Sequence, residues 1–266
     1  MQTDGLRIAV LGLGEAGSAF SADLAAAGAD VVGYDPRQHL PIPSSVRRAA
    51  SVAEAVAGAE LALSLNSARV AEAVAAEALP AMRPGAVFAD LNTSAPELKR
   101  RIAAMAASHG IAFAEVAVMA PVPGRGVSVP SVAAGPGAPT YADALARHGG
   151  RVEVLDAPVG TASTRKLLRS IVMKGLAASI VEALDAADRV GSGDWLRSDL
   201  ANQFGAELAE RLERGTRMHA ARRVDEMRAA SELLVELGVA PLVTEATVQR
   251  LAQVAATAGP SAQDHR

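Results

Sequence analysis

The chain has 266 residues, half of them hydrophobic, with 26 basic against 29 acidic side chains, a net charge of −3 and a pI near 6.0. That length can bury a large core in one or two domains, the charge balance gives no electrostatic case for nucleic acid, and no apolar run approaches the ~18–20 residues of a membrane span. The absence of cysteine excludes disulfides, Cys-ligated zinc and thiol chemistry, and no basic flank and long apolar stretch opens the chain, so a cytoplasmic protein is expected.

Short β-rich runs at 7–11, 30–34, 61–65, 86–90 and 111–118 alternate with Ala-rich helical stretches near 15–28, 46–58, 68–82 and 95–109. This alternation predicts βαβ units and an α/β fold with a doubly wound parallel sheet covered on both faces. Weaker strands at 131–134 and 152–155 flank a helix at 140–148. The Pro- and Gly-rich segment 121–130 is expected as a loop at the C-terminal end of a strand, the edge where such sheets bind ligands.

After Gly160 the strand signal ends. Leu168, Ile171, Val172, Leu176, Ile180 and Leu184 recur at helical spacing over 161–190, and the stretch from Gly191 to Gly193 ends that helix. Further helices are expected at 195–213, 216–237 and 241–258, with a frayed tail at 259–266. The domain boundary falls near 159, giving an α/β domain over 1–159 and an all-α domain over 160–266. The long helix is apolar over more than one stripe, which predicts burial against a second copy and hence a homodimer.

The segment Ile8-Ala9-Val10-Leu11-Gly12-Leu13-Gly14-Glu15-Ala16-Gly17 is a strand, then G-x-G-x-x-G, then a helix. Gly12 permits the tight turn, Gly14 lets backbone approach a pyrophosphate, and Gly17 lets helix pack on strand. The helix N-terminus offers N–H groups and a positive dipole end to phosphates. Asp35 lies 18 positions beyond Gly17, at the end of the second strand. There a carboxylate can bind both ribose hydroxyls of NAD, or it simply begins a turn before Pro36. Arg37 can accept the 2′-phosphate of NADP, so NAD is the expected cofactor with NADP possible. Asn66 and Asn92 complete the candidate cofactor set.

With these motifs in place, the chain resembles the β-hydroxyacid dehydrogenase family, which includes 3-hydroxyisobutyrate and 6-phosphogluconate dehydrogenases. The glycine motif comes first, and Ser51 to Glu60 is similar to the approach to the third core strand. Asp90-Leu91-Asn92-Thr93-Ser94-Ala95-Pro96 resembles the D-x-S-T-x-x-P element. Gly160-Thr161-Ala162-Ser163-Thr164-Arg165-Lys166 resembles the G-x-G-x-x-x-K stretch that carries the family's catalytic lysine. The substrate-binding D-A-P-V-S-G-G element appears as Glu115-Val116-Ala117-Val118-Met119-Ala120-Pro121, which puts Met119 at the serine that meets substrate carboxylate. Ser170 stands for the asparagine four residues after the lysine, and Asp225-Glu226-Met227 replaces the late K-D-L element. This looks like a divergent branch, often labelled 6-phosphogluconate-dehydrogenase-like.

Oxidising an alcohol removes a hydride and a proton, so a base must stand near the nicotinamide. Only three of the 26 basic residues are lysines: Lys99, Lys166 and Lys174. Unlike arginine, lysine can lose its proton when desolvated. Lys166 is the expected proton carrier. Lys166, Ser170 and Lys174 fall at i, i+4 and i+8 on one helical stripe, giving the candidate catalytic set, although lysines on a helix can also be plain solvated residues. An anionic substrate needs donors, which the Gly124-Arg125-Gly126 turn can supply if it is not merely a solvated loop. Asn92 and Thr93 can touch nicotinamide or substrate, or cap the helix beginning near Pro96. His219 and Arg223, at i and i+4 beside Arg222, form a candidate anion site or a solvated face. No His/Asp/Glu spacing suggests a metal. The leading expectation is hydride transfer on a small hydroxy acid or its keto form. C=N reduction, as in the related imine reductases, and a dinucleotide-binding sensor without turnover are the alternatives.

Overall fold

The computed structural model describes residues 5–257, so the tail expected at 259–266 lies outside the described residues. One compact unit closes at Lys166 and a second opens at Leu167, against an expected boundary near 159.

The first unit is built on an eight-stranded sheet in the order β3-β2-β1-β4-β5-β6-β7-β8. Its strands are β1 (Arg7–Leu11), β2 (Asp30–Tyr34), β3 (Arg47–Arg48), β4 (Leu61–Ser64), β5 (Val87–Asp90), β6 (Ala112–Val118), β7 (Ser131–Ala134) and β8 (Val152–Val154). The helices between them are α1 (Glu15–Ala26), α2 (Val52–Val56), α3 (Ala68–Ala78), α4 (Pro96–Ser108) and α5 (Ala138–Ala146). Each central strand is buried on both faces. Ile8 and Val10 join one core with Phe20, Leu24, Leu63 and Val116, while Ala9 and Leu11 join the other with Val56, Phe88 and Phe113. Double burial explains why these strands are continuous apolar runs rather than alternating ones.

Two departures from the sequence pattern have local causes. Where a helix over 46–58 is expected, Arg47 and Arg48 pair with Val32 and Gly33, and α2 occupies only five residues. Ser51 starts that helix by accepting the Glu54 amide at 3.1 Å, and Glu54 Oε2 reaches back to the Ala50 amide at 2.8 Å. This reciprocal cap fixes the late start. The second departure is β7, which runs antiparallel to β6 in an otherwise parallel sheet. The connection between them holds only a short 3-10 turn, Gly126–Ser128, and no crossover helix, which a parallel return would need.

The second unit is helical. The long helix α6 (Thr161–Arg189) begins in the first unit and continues into the second, followed by α7 (Gly193–Phe204), α8 (Ala206–Met218), α9 (Ala220–Glu236) and α10 (Leu242–Thr257). Ala177, Ile180, Leu184 and Leu212 form its main core, with Val181, Ala220 and Val254 in a second cluster. The helices expected at 195–213 and 216–237 instead break at Gly205, whose φ is 82°, and again at His219. Gly215, between the two expected spans, lies inside α8. A Cβ there would come within 3.3 Å of the Arg223 guanidinium, so this glycine makes room for a side chain instead of ending the helix. No helix among the described residues is long and apolar enough to cross a membrane.

Candidate active site

In the first unit, the turns after β1, β4, β5 and β6 share the C-terminal edge of the sheet, and β1 lies where the strand order reverses, the place where open α/β sheets bind ligands. Gly12 turns the chain out of β1 with φ of 102°, and a Cβ on it would sit 2.5 Å from the Leu65 carbonyl oxygen. A Cβ on Gly17 would overlap the Gly12 carbonyl oxygen at 1.8 Å. The first and third glycines therefore allow strand and helix to close on each other. Gly14 differs: a Cβ there would meet nothing nearer than Arg37 Nη2 at 3.7 Å. It occupies the N-cap of α1 with no side-chain cap, which leaves the first-turn amides of Glu15, Ala16 and Gly17 for an anion. An open backbone approach onto an uncapped helix N-terminus fits a dinucleotide pyrophosphate.

Asp35 closes this loop from β2. Its buried carboxylate accepts the Leu13 amide at 2.9 Å on Oδ2, and the Arg37 amide at 2.9 Å and Arg37 Nε at 3.1 Å on Oδ1. Burial acts to raise the carboxyl's pKa, but the Arg37 hydrogen bonds and the Leu13 amide outweigh it and hold the group below the usual range. Arg37 itself is half exposed. The two residues that sequence offers as rival ribose readers are thus one ion pair, with arginine outermost.

A polar network runs along the next two strand ends. Ser64 Oγ accepts from Asn66 Nδ2 and Asn92 Nδ2, each at 3.0 Å, and Asn92 also donates from backbone and side chain to Asp90 Oδ1. Asp90 Oδ2 takes Lys99 Nζ from α4 at 2.8 Å, and both side chains of that pair are fully buried. Thr93 follows directly, and its Oγ1 lies 2.6 Å from Lys166 Nζ.

The start of α6 is set by Glu115, a fully buried carboxylate on β6. Its Oε2 accepts the Gly160 amide at 2.6 Å and its Oε1 the Ser163 amide at 2.7 Å. A carboxylate on a helix N-terminus meets both free amides and the positive end of the dipole. Lys166 is one turn further along, so this cap sets where the lysine emerges. Met119 is half-buried against a small cluster that includes Ala162. Gly124 and Arg125 are exposed, in a loop pinned to α1 by the Val127 amide donating to Asp23 at 3.0 Å. The described hydrogen bonds and ion pairs do not bring Arg125 to Lys166.

The second unit gathers its own polar cluster. Lys174 Nζ donates to Ser170 Oγ at 3.2 Å and to Glu226 Oε1 at 3.0 Å, and Ser170 also bonds Glu226. Burial pushes the Lys174 pKa down, Glu226 opposes this, and the charges of Arg223 and Arg222 add to the depression. Burial likewise lowers that of Arg223, which bonds Thr216. His219 sits at the junction of α8 and α9. Sequence reasoning left out Lys99, Glu115 and Glu226 as site residues. The scarcity of lysine pointed at Lys99, but nothing in the sequence around Glu115 on β6 or Glu226 on α9 reveals the helix start or the lysine that each one meets.

Residues 7–126 match the family model for the NAD-binding domain of 6-phosphogluconate dehydrogenase, and residues 187–254 match a domain of unknown function, DUF1932. The probable 3-hydroxyisobutyrate dehydrogenase of Mycobacterium bovis is 30% identical over 194 residues, 69% of this chain and 65% of that protein. The chain thus spans less than two thirds of that relative's length. A solved structure of a conserved hypothetical protein from Sinorhizobium meliloti 1021 is 31% identical, with a TM-score of 0.71 over 94% of this chain and 89% of that one. A reductive aminase from Aspergillus terreus, solved with NADPH, cyclohexanone and allyl amine, shares the fold at 20% identity, with a TM-score of 0.64 over 94% of both chains. The glycine loop, the D-x-N-T turn and the G-x-x-x-x-x-K helix start occur here in that order, and the chain is similar to the β-hydroxyacid dehydrogenases over most of its length.

Proposed function

We propose that the chain is a nicotinamide-dependent oxidoreductase that transfers a hydride to or from a small hydroxy acid or its keto form, with Lys166 exchanging the proton on the substrate oxygen. The observation that carries this reading is the 2.6 Å contact between Lys166 Nζ and Thr93 Oγ1 at the C-terminal sheet edge. When bound, a nicotinamide dinucleotide would supply the hydride chemistry; Gly12 to Gly17 would hold its pyrophosphate and the Asp35–Arg37 pair its adenosine ribose. Uncharged Lys166 takes the alcohol proton during oxidation, and its ammonium returns a proton to the carbonyl during reduction. Thr93 accepts a hydrogen bond from the ammonium and donates one to the free amine, so it keeps the lysine in place in both states. Replacing Lys166 and measuring turnover tests the assignment.

In the second unit, Ser170, Lys174, Arg223 and His219 suit an anionic ligand such as a carboxylate. A second reading, C=N reduction, is favoured by Met119, whose thioether gives a carboxylate no strong donor. Parallel assays with keto acids and with preformed imines separate the two readings.

With Arg37 neutralising Asp35, both NAD(H) and NADP(H) are expected to bind. Arg37→Ala frees the carboxylate and removes the cation, so it should shift preference toward NAD(H) by about tenfold or more. Calorimetry with both cofactors checks this, and an unchanged preference would remove Arg37 from ribose recognition.

We also propose a homodimer formed through the helical unit. On α6, Leu168 and Val172 are exposed, the latter by 67%, and Trp195 on α7 is also 67% exposed. A second copy packed on this unit would cover these side chains. Light scattering at micromolar concentration should give twice the chain mass or more, and a monomer would refute it.

A further inference from the structure

We propose that Lys99 is a positioning residue: its buried ion pair with Asp90 holds the turn that presents the Thr93 hydroxyl to Lys166. This rests on the reading of Lys166 as the proton carrier. Lys99 lies in the second turn of α4, and its ammonium spends two hydrogen bonds on one residue, Asp90 Oδ2 at 2.8 Å and the Asp90 carbonyl at 2.9 Å. Gripping both main chain and side chain fixes the backbone at 90 as well as the carboxylate rotamer. The other carboxylate oxygen takes the Asn92 amide at 3.2 Å, and Asn92 Nδ2 is tied across to Ser64 on β4. Residues 90 to 92 are therefore held from α4 on one side and β4 on the other. Thr93 is the next residue.

Stability alone gives a poor account of this arrangement. Both members of the pair are 0% exposed, and a fully buried ion pair adds little over well-packed apolar side chains of the same size. What the pair supplies is geometry. A methionine would fill the volume but could not hold the Asp90 carbonyl and carboxylate together.

The low lysine count makes the test direct. In full-length protein carrying ¹³C,¹⁵N-lysine there are three lysine side-chain signals, and Lys174→Arg assigns one of them. Lys99→Met alone would strand a buried carboxylate and can fail to fold, so the test variant is Asp90→Asn with Lys99→Met, which removes both charges. The readout is the titration midpoint of Lys166 without cofactor or substrate, beside wild type and Thr93→Val. The bond from the Lys166 ammonium to the Thr93 hydroxyl is charge-assisted and stronger than the one the free amine accepts, so losing it should lower the midpoint by about half to one pH unit in both variants. A double variant that titrates like wild type while Thr93→Val shifts would overturn the proposal, as would an unchanged midpoint in both. Turnover is not read here, so failure of the proton-transfer reading, seen as an active Lys166→Arg, stays a separate result.

Discussion

Lys166→Ala should lower turnover about 10²–10⁴-fold, the usual worth of a positioned acid–base group. The expected loss lies in the chemical step because the residues proposed to bind the cofactor, Gly12 to Gly17 with Asp35 and Arg37, lie elsewhere on the sheet edge. Removing the lysine leaves Thr93 in its turn, since Asp90, Asn92 and Lys99 hold that turn independently of Lys166. Cofactor affinity should stay within about twofold, as for a surface substitution that touches neither phosphate nor ribose. Fluorescence titration with reduced cofactor, run beside the turnover assay, separates the two effects. A variant that lost affinity and turnover together would place Lys166 on the cofactor instead.

The glycines of the first loop should divide into two kinds. Gly17→Ala puts a methyl 1.8 Å from the Gly12 carbonyl oxygen, backbone that cannot move without pulling α1 off β1. The expected cost is about 3 kcal/mol or more, read as a lowered denaturation midpoint. Gly14→Ala should fold normally, because its φ of −68° and ψ of −165° suit any residue and its Cβ would meet only Arg37 at 3.7 Å. If Gly14 lies against the pyrophosphate as proposed, the added methyl would crowd it, so cofactor affinity should fall about tenfold or more while stability changes by less than about 0.5 kcal/mol. A Gly14→Ala protein with wild-type affinity would argue against the phosphate assignment.

The sheet was legible because its central strands are buried on both faces and, apart from the five-residue α2, are separated by helices of ordinary length, which gives each one a bounded apolar run. The breaks were less so. Gly205 and His219 interrupt the second unit inside the spans 195–213 and 216–237 that the periodicity reads as continuous, whereas Gly215, between those spans, lies within α8 and is packing space for Arg223. At the site, glycine spacing and lysine scarcity were visible in one dimension. The pairing of Asp35 with Arg37 and the capping of α6 by Glu115 depend on contacts between distant segments. Glu115 and Gly160 are 45 residues apart, and only the folded sheet brings them within 2.6 Å.

The most direct test of the central claim is single-turnover kinetics on Lys166→Arg. Arginine keeps the positive charge, most of the volume and the ability to donate to Thr93, but it cannot release its proton at working pH. If Lys166 moves the proton, the chemical step should slow nearly as much as in Lys166→Ala, with cofactor binding intact. A Lys166→Arg enzyme that kept most of its single-turnover rate would contradict the account, because charge and position alone would then suffice and the proton would have to travel through another group.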